Sequence, residues 1–358
     1  HAFDGLEMVD APYNTAPITT GPFKFVEWNT GQNVVLEANP DYWRGAPCLD
    51  RIVVSFISGA NNQANALLGG ELDFARIDGV DLSPFEGSPD YTITRASRDL
   101  MRYVGFNTQS PTVSDPAVRR ALAVGLNRQA IIDAVAGGEG ILADSVFNNS
   151  VFMYEAGRNA QYNYDPELAK QMLADAGWTD SDGNGFVDKD GQELTIRTVY
   201  MGSWPLMQGI APLVYDNWRA IGVNIELAPL DEAAIYEELY ENTNVEKPYD
   251  AFLGGWGLFG PEPDHYRNYY ASDTGFFAYD NPEMVELFQQ GRAETNVDAR
   301  YELYAGVDAQ LWQELPMIPI FQPIGVYVYR SDLMLDAAEI NGTFLTGLKF
   351  PGRAYFAQ

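Results

Sequence analysis

The chain has 358 residues, more than the roughly 100–200 of one domain, and its 46% hydrophobic content suffices for packed cores, so two lobes are expected. Fifty Asp and Glu against 22 Lys and Arg leave a net charge of −28, which argues against a nucleic-acid backbone and disfavours an anionic lipid surface as partner, since like charge repels. Cys48 stands alone, which excludes an intrachain disulfide, and no apolar run reaches the roughly 18 residues a membrane-spanning helix needs.

Residues 1–19 are rich in Pro, Ala and Thr, show no period and read as a connector. Phe23, Phe25 and Trp28 then form an apolar run, Thr30-Gly31 interrupts it, and Val34-Val35-Leu36 resumes it, which predicts a β-hairpin. In Asn39-Pro40-Asp41-Tyr42-Trp43 a turn-former precedes proline and two aromatics follow, so a sharp turn with a buried aromatic plug is expected. Residues 51–57 predict a third strand. Ala64, Leu67 and Leu68 share a helix face closed by Gly69-Gly70, and residues 69–75 lead into a fourth strand, making a βαβ unit. Residues 78–90 read as loop, and 91–94 and 101–107 as strands.

From Asp115 the pattern becomes helical. Asp115 is an N-cap candidate with Pro116 at the first helical position, and Val118, Ala121, Leu122 and Gly125 share a face. Asn127 caps a second helix with a stripe of Ile131, Ile132 and Val135, ended by Gly137-Gly138. Asp165-Pro166 repeats the cap-plus-proline device before Leu168, Met172 and Leu173. Residues 193–200 alternate as a strand, 206–221 form an amphipathic helix ended by Gly222, and 223–227 return as a strand, a second βαβ unit. A helix over 231–240, a strand over 249–256, helices opening at Asn281-Pro282 and at Asp298, and strands over 317–322 and 326–329 split by Pro323 complete the chain.

Enzyme signatures are poor. Only two histidines occur, one of them His1, so a histidine-based triad or multi-histidine metal site would depend on His265. Residues 138–143 match GxGxxA but follow a helix instead of a strand, which argues against a dinucleotide site. Glu262 and Asp264 are the carboxylates a hydrolase acting on peptide or glycan would use, against a loop-capping role. Asp180, Asp182, Asn184 and Asp188 occupy positions 1, 3, 5 and 9 of an EF-hand-type loop with Gly185 at 6, but position 12 is Gly191. Two readings stay open: a structural Ca²⁺ site, or a metal-free Asx/Gly turn between helix and strand. Trp178, Trp204, Trp218 and Trp312 are expected in the core. Trp256 differs, because it ends a strand and opens a glycine- and proline-rich loop, and ligand sites of open α/β sheets lie beyond the strands' carboxyl ends. Tyr103 is the second ligand-binding candidate.

Six segments in order (20–47, 67–75, 103–111, 115–135, 164–178 and 254–266) resemble the extracellular solute-binding proteins that serve ABC importers of oligopeptides, dipeptides and nickel, family 5. The resemblance implies an α/β, two-lobed periplasmic-binding-protein-like fold with mixed sheets. One lobe, from residues 1–100 plus 324–358, is expected to be incomplete; residues 101–323 form the other, with a hinge near 98–107 and a return crossing at Pro323. Only about nineteen residues precede the TGPF motif, so the chain is expected to be a piece of a longer protein without its N-terminal segment. Phe25, Trp28, Leu36, Tyr42, Trp43, Ile52 and Val54 are expected in one core with the strand at 326–329.

The implied function is capture of a peptide, oligosaccharide or similar small solute outside the cytoplasmic membrane by a monomer, and delivery to a membrane permease, with no cofactor required. A secreted hydrolase and an adhesion or scaffold protein of the same fold are the alternatives. In peptide-binding members a Trp-x-x-Asp segment presents a carboxylate to the ligand's free amine. Here the segment is Trp256-Gly257-Leu258-Phe259, so Phe259 stands where the acid would be. A phenyl ring beside Trp256 suits an uncharged face, which predicts a neutral oligosaccharide or a blocked peptide.

Overall fold

The computed structural model describes residues 14, 16–159, 162–241, 248–257, 262–271, 277–335 and 354–356. Phe23–Asn29 (β1) and Asn33–Ala38 (β2) make the expected hairpin, with Gly31 at φ +75°, and Arg51–Ser55 (β3) completes a three-stranded antiparallel sheet. Ala60–Leu68 (α1) leads into Phe74–Ile77 (β4), followed by Tyr91–Ser97 (β5) and Leu100–Phe106 (β6). Pro116–Val124 (α2) and Arg128–Ala136 (α3) start at the caps the sequence marks: the Asp115 side chain accepts from Ala117 N–H and the Asn127 side chain from Ala130 N–H.

Gly140–Leu142 (β7) is a short strand where the sequence shows only a glycine motif. Pro166–Asp175 (α4), capped by Asp165, precedes a small hairpin of Asp188–Lys189 (β8) and Gln192–Glu193 (β9). Thr195–Met201 (β10), Pro205–Ala220 (α5) and Asn224–Leu230 (β11) form the second strand–helix–strand unit, and Glu232–Tyr236 (α6) precedes Ala251–Gly257 (β12). Arg267–Tyr270 (α7), Pro282–Ala293 (α8) and Val297–Glu314 (α9) follow. The cap of α9 is Asn296, which accepts Ala299 N–H at 2.9 Å, so that helix opens before the predicted Asp298. Met317–Arg330 (β13) runs unbroken through Pro323, where two strands were predicted, because each half pairs with different neighbours; Leu333–Met334 (β14) and Tyr355–Phe356 (β15) pair last.

Packing divides the chain into two units, His1–Arg98 with Ile324–Gln358, and Asp99–Pro323. In the first, the C-terminal half of β13 lies between β4 and β5, antiparallel to both. Its side chains alternate: Val326 and Val328 join Ala64, Leu67, Ile77, Leu82 and Phe85 in one cluster, while Tyr327 and Tyr329 join Leu333 and Ala354 in another. None of the seven residues predicted for this core belongs to it. On the β1–β3 sheet the buried side chains are Phe23 and Val35, and Trp28 is 45% exposed. The aromatic plug is absent as well: Asn39 makes the turn, donating to Gly21 O at 3.0 Å and accepting Asp41 N–H at 3.2 Å, while Trp43 is 72% exposed beside Arg44.

The second unit is a three-layer arrangement. Its sheet runs β11-β10-β12-β6 and continues through the first half of β13 to β7. Alternate residues face opposite layers: Val104, Ile196, Leu253 and Ile318 pack with Leu122, Ile132, Leu173, Ile210 and Trp218, and Tyr103, Val199, Phe252 and Met317 pack with Phe288, Tyr304, Leu311 and Trp312. Burial of this extent on both faces, at about 25 cal/mol per Å² of apolar surface, makes the second unit's sheet its structural centre. Two buried arginines tie loops to it. Arg119 donates to the carbonyls of Val113, Ser114, Glu314 and Leu315, and Arg128 to those of Ala143, Pro319 and Tyr162. Burial lowers each guanidinium to about 10, where it stays charged at neutral pH.

Candidate functional site

In the second unit β10, β11 and β12 are parallel, and β12 and β13 are both antiparallel to β6. The carboxyl ends of β10, β11, β12 and this half of β13 therefore lie at one end of the sheet, the end at which α/β proteins bind ligands. Gly255 pairs with Arg102 there, Arg102 with Phe321, and Phe321 with Leu142; one step further out Trp256 pairs with Met101 and Gln322 with Ile141.

Glycine is required at two of these positions by what crosses the strand. A Cβ on Gly254 would lie 2.3 Å from the Tyr103 ring, and one on Gly255 would lie 2.5 Å from Arg102 Nη1. The pair lets the Tyr103 ring approach one face and the Arg102 guanidinium the other, the latter 4.9 Å from the Trp204 ring centroid, a cation–π contact. Trp204 follows β10 as the N-cap residue of α5. The start of β12 is anchored too: Asp250 accepts Arg197 N–H at 2.8 Å and the Ser110 hydroxyl, and Asn107 Nδ2 donates to Tyr249 O at 3.2 Å.

The predicted site residues fare differently. Trp256 lies in β12 at the expected end of the sheet, but its side chain, and Phe259 entirely, lie outside the described residues. Tyr103 is a core residue here, 1% exposed, with its ring edge-on to Phe252 and Phe277 at 5.8 and 6.0 Å, so it is not an exposed ligand contact. Arg102, Trp204 and Gln322 are brought to the same end and escaped sequence reasoning. Their convergence depends on strand register between segments about a hundred residues or more apart, and the one local signal was the Gly254-Gly255 pair.

The 180–188 loop is organised by its own N–H groups. Asp180 accepts Gly183 N–H at 2.8 Å and Gly185 N–H at 3.1 Å, Asp182 accepts Asn184 N–H at 3.0 Å, and Asn184 Oδ1 accepts Phe186 N–H at 2.8 Å. Asp188 turns to Ser181, taking its N–H at 2.8 Å and its hydroxyl at 2.9 Å, and these bonds hold its carboxyl below the ordinary value. Among the described residues no three His, Cys, Asp or Glu side chains converge as a metal site would require. Asp182 and Asn184 each accept the N–H two residues on, as in an Asx turn, so side-chain oxygens of this loop are engaged with its own backbone.

The carboxylates of the hydrolase alternative are structural. Glu262 caps the turn Pro263–Tyr266 through Asp264 N–H at 3.0 Å and pairs with Arg300, while Asp264 lies 3.9 Å from Arg292 and 4.0 Å from Arg267. Burial acts to raise the Glu262 carboxyl, but the Arg300 and Asp264 hydrogen bonds outweigh it and the net shift is downward, opposite to what a general acid needs. A recess of about 370 Å³ lined by Gln109, Arg119, Tyr279, Asn281 and Glu314 lies by the carboxyl end of β6, the end of the sheet opposite Trp256; its polar groups bond to one another, Asn281 Nδ2 to Tyr279 Oη at 3.0 Å and the Tyr279 hydroxyl to Glu314.

Comparison with known proteins finds a family and similar folds. The sequence model of bacterial extracellular solute-binding proteins, family 5 Middle, matches residues 7–278. The chain is 28% identical over 312 residues to the oligopeptide-binding protein AppA of Bacillus subtilis, covering 86% of this chain and 57% of AppA. It is 28% identical over 318 residues to heme-binding protein A of Haemophilus influenzae, covering 87% and 56%. The chain therefore spans little more than half the length of these relatives. Among solved structures, the ABC transporter substrate-binding protein CtaP of Listeria monocytogenes superposes with a TM-score of 0.85 at 24% identity, over 99% of this chain and 70% of that one. AppA of B. subtilis bound to a nonapeptide gives 0.73 at 26% identity, over 96% and 67%.

Proposed function

We propose, from the premise that this chain belongs to family 5 of the bacterial extracellular solute-binding proteins, that it is part of a protein that captures a small solute outside the cytoplasmic membrane and presents it to the permease of an ABC importer. The observation that carries the reading is the family match over residues 7–278. The end of the second unit's sheet supports it: Arg102, Trp204, the Gly254-Gly255 strand and Trp256 stand at the carboxyl ends of parallel strands. No helix among the described residues is long and apolar enough to cross a membrane. Capture needs no covalent step or cofactor, and the capping and ion-pairing of Glu262 and Asp264 favour binding over hydrolysis.

The class of solute is proposed from position 259. A ligand ammonium set against Phe259, where peptide-binding members present a carboxylate, would be desolvated without that counter-charge, at a cost of several kcal/mol. The preferred solute therefore carries no free amine at this position; a neutral oligosaccharide or an N-blocked peptide meets that requirement. Calorimetry on the full-length protein with free peptides, their N-acetylated forms and neutral oligosaccharides tests this. N-acetylation should weaken binding by less than about threefold, under 0.7 kcal/mol. Tight binding that requires the free amine and survives Phe259→Ala would overturn it.

A further inference from the structure

Most buried polar side chains of the second unit are surrounded by partners. Asp308 accepts the Ser145 hydroxyl at 2.8 Å, Val146 N–H at 3.2 Å and Asn159 Nδ2–H at 2.8 Å, and Arg119 and Arg128 spend their donors on carbonyls. Asn148 and Gln322, like the Thr198 hydroxyl in the middle of β10, are different. Both side chains have no exposed surface, and neither amide nitrogen has a hydrogen-bond partner among the described residues.

Their oxygens, by contrast, are engaged. Asn148 Oδ1 accepts Ser150 N–H at 2.9 Å and the Ser150 hydroxyl at 2.6 Å; Gln322 Oε1 accepts Asn149 N–H at 3.0 Å. Those donors fix the orientation of the Gln322 carboxamide, because a flip would set NH₂ against N–H. The two groups are neighbours, since the N–H that Gln322 holds belongs to the residue after Asn148. They also stand at the candidate end of the sheet, where Gln322 pairs with Ile141 in the same outer position as Trp256 with Met101. A buried N–H without an acceptor loses its hydration and gets nothing back, and folded proteins keep few of them.

We propose that Asn148 and Gln322 are a donor pair that receives a neutral acceptor oxygen of the captured solute, an amide carbonyl or a hydroxyl. The inference rests on the solute-capture reading and specifies what the site recognises. A neutral acceptor is favoured over an anion because both donors are uncharged and Asp144 and Asp308 hold the same loop, with Asp308 bonded to Val146 N–H and Asp144 to Gly157 N–H at 2.7 Å. Solvent does not reach either nitrogen, so the solute oxygen enters as the turn at 148–151 shifts; that turn is closed by a long Val151 N–H to Asn148 O bond of 3.3 Å.

The test uses Asn148→Asp and Gln322→Glu in the full-length protein, which keep the oxygens that hold Ser150 and Asn149 and replace each donor by an acceptor. Calorimetry with N-acetylated tetrapeptide amides and with neutral tetrasaccharides distinguishes carbonyl from hydroxyl recognition. Each variant should bind about tenfold or more weakly at pH 7.5 and recover toward pH 5, where a protonated carboxyl again donates. Thr198→Val, which removes a buried hydroxyl without a partner in the middle of β10, should bind as the parent does. Should either acid variant fail to fold by circular dichroism, Gln322→Met replaces it. A parent that binds while both variants stay within twofold of it overturns the donor pair and leaves solute capture standing. If the parent binds neither probe set, capture of neutral solutes itself is overturned, and the donor pair falls with it.

Discussion

Substitution of Gly254 by alanine tests whether the strand behind Trp256 is built around the Tyr103 ring. The new Cβ would meet Tyr103 Cζ at 2.3 Å, Oη at 2.4 Å and Cε2 at 2.5 Å, where ordinary contact begins near 3.4 Å, so the ring must retreat by about 1 Å. It has nowhere to go: Tyr103 is 1% exposed and packs edge-on against the stacked rings of Phe252 and Phe277. Forcing atoms into a filled core costs about 1–3 kcal/mol, which for a unit of this size lowers the melting temperature by about 3–10 °C. Gly255→Ala should cost less, because the nearest atom it meets, Arg102 Nη1 at 2.5 Å, is the far end of a flexible side chain, and the Trp204 ring stands off at 3.1 Å. Differential scanning calorimetry of Gly254→Ala, Tyr103→Leu and the double variant measures the coupling, and the double variant should recover at least about 1 kcal/mol relative to the sum of the singles. A melting point for Gly254→Ala within about 1 °C of the parent, or strictly additive losses, would refute the reasoning.

Three further outcomes are expected. Arg119→Met strips the donors from four carbonyls and should cost about 3 kcal/mol or more, whereas Arg120→Met, which loses one exposed bond to Gln313 O, should stay within about 0.5 kcal/mol in urea melts; equal losses would contradict the assignment. Burial raises the Asp308 carboxyl above its ordinary 3.8 despite the bonds from Ser145, Asn159 and Val146, so the folded chain keeps that proton to higher pH than the unfolded one. Its contribution is complete below pH 3.8 and is lost as pH rises through the folded value; the stability of the parent relative to Asp308→Asn should therefore fall as pH rises above about 3.8, and a difference that grows would reverse the sign of the shift. Ca²⁺ added after chelation should move the melting temperature by less than about 1 °C, since the 180–188 carboxylates serve local N–H groups; a cation at a hundred times its dissociation constant would add about 2.7 kcal/mol and a rise of about 5–10 °C, which would establish the cation site instead.

Much of this fold is written locally. A cap acts within three residues, so Asp115, Asn127, Asp165, Asp231 and Asn281 could each be read from their own neighbourhood, and each accepts a first-turn N–H in the structure. The strand–helix–strand alternation and the family motifs, strung along the chain in order, are local in the same sense. Burial is not local. Tyr42-Trp43 looks like a plug because it is aromatic, yet Trp43 is 72% exposed while Trp218 is fully buried, and the difference lies in what the rest of the chain brings to each. The seven residues assigned to the first core failed for the same reason: alternation tells which side chains share a face, and only the packed neighbours tell which face is covered. Cap and turn residues were thus determined by the sequence through contacts a few residues apart. The pairing of Arg102 with Gly255, of Gln322 with the loop after Asn148, and the loss of Tyr103 to the core were decided by register between distant strands, which exists only once the chain has folded.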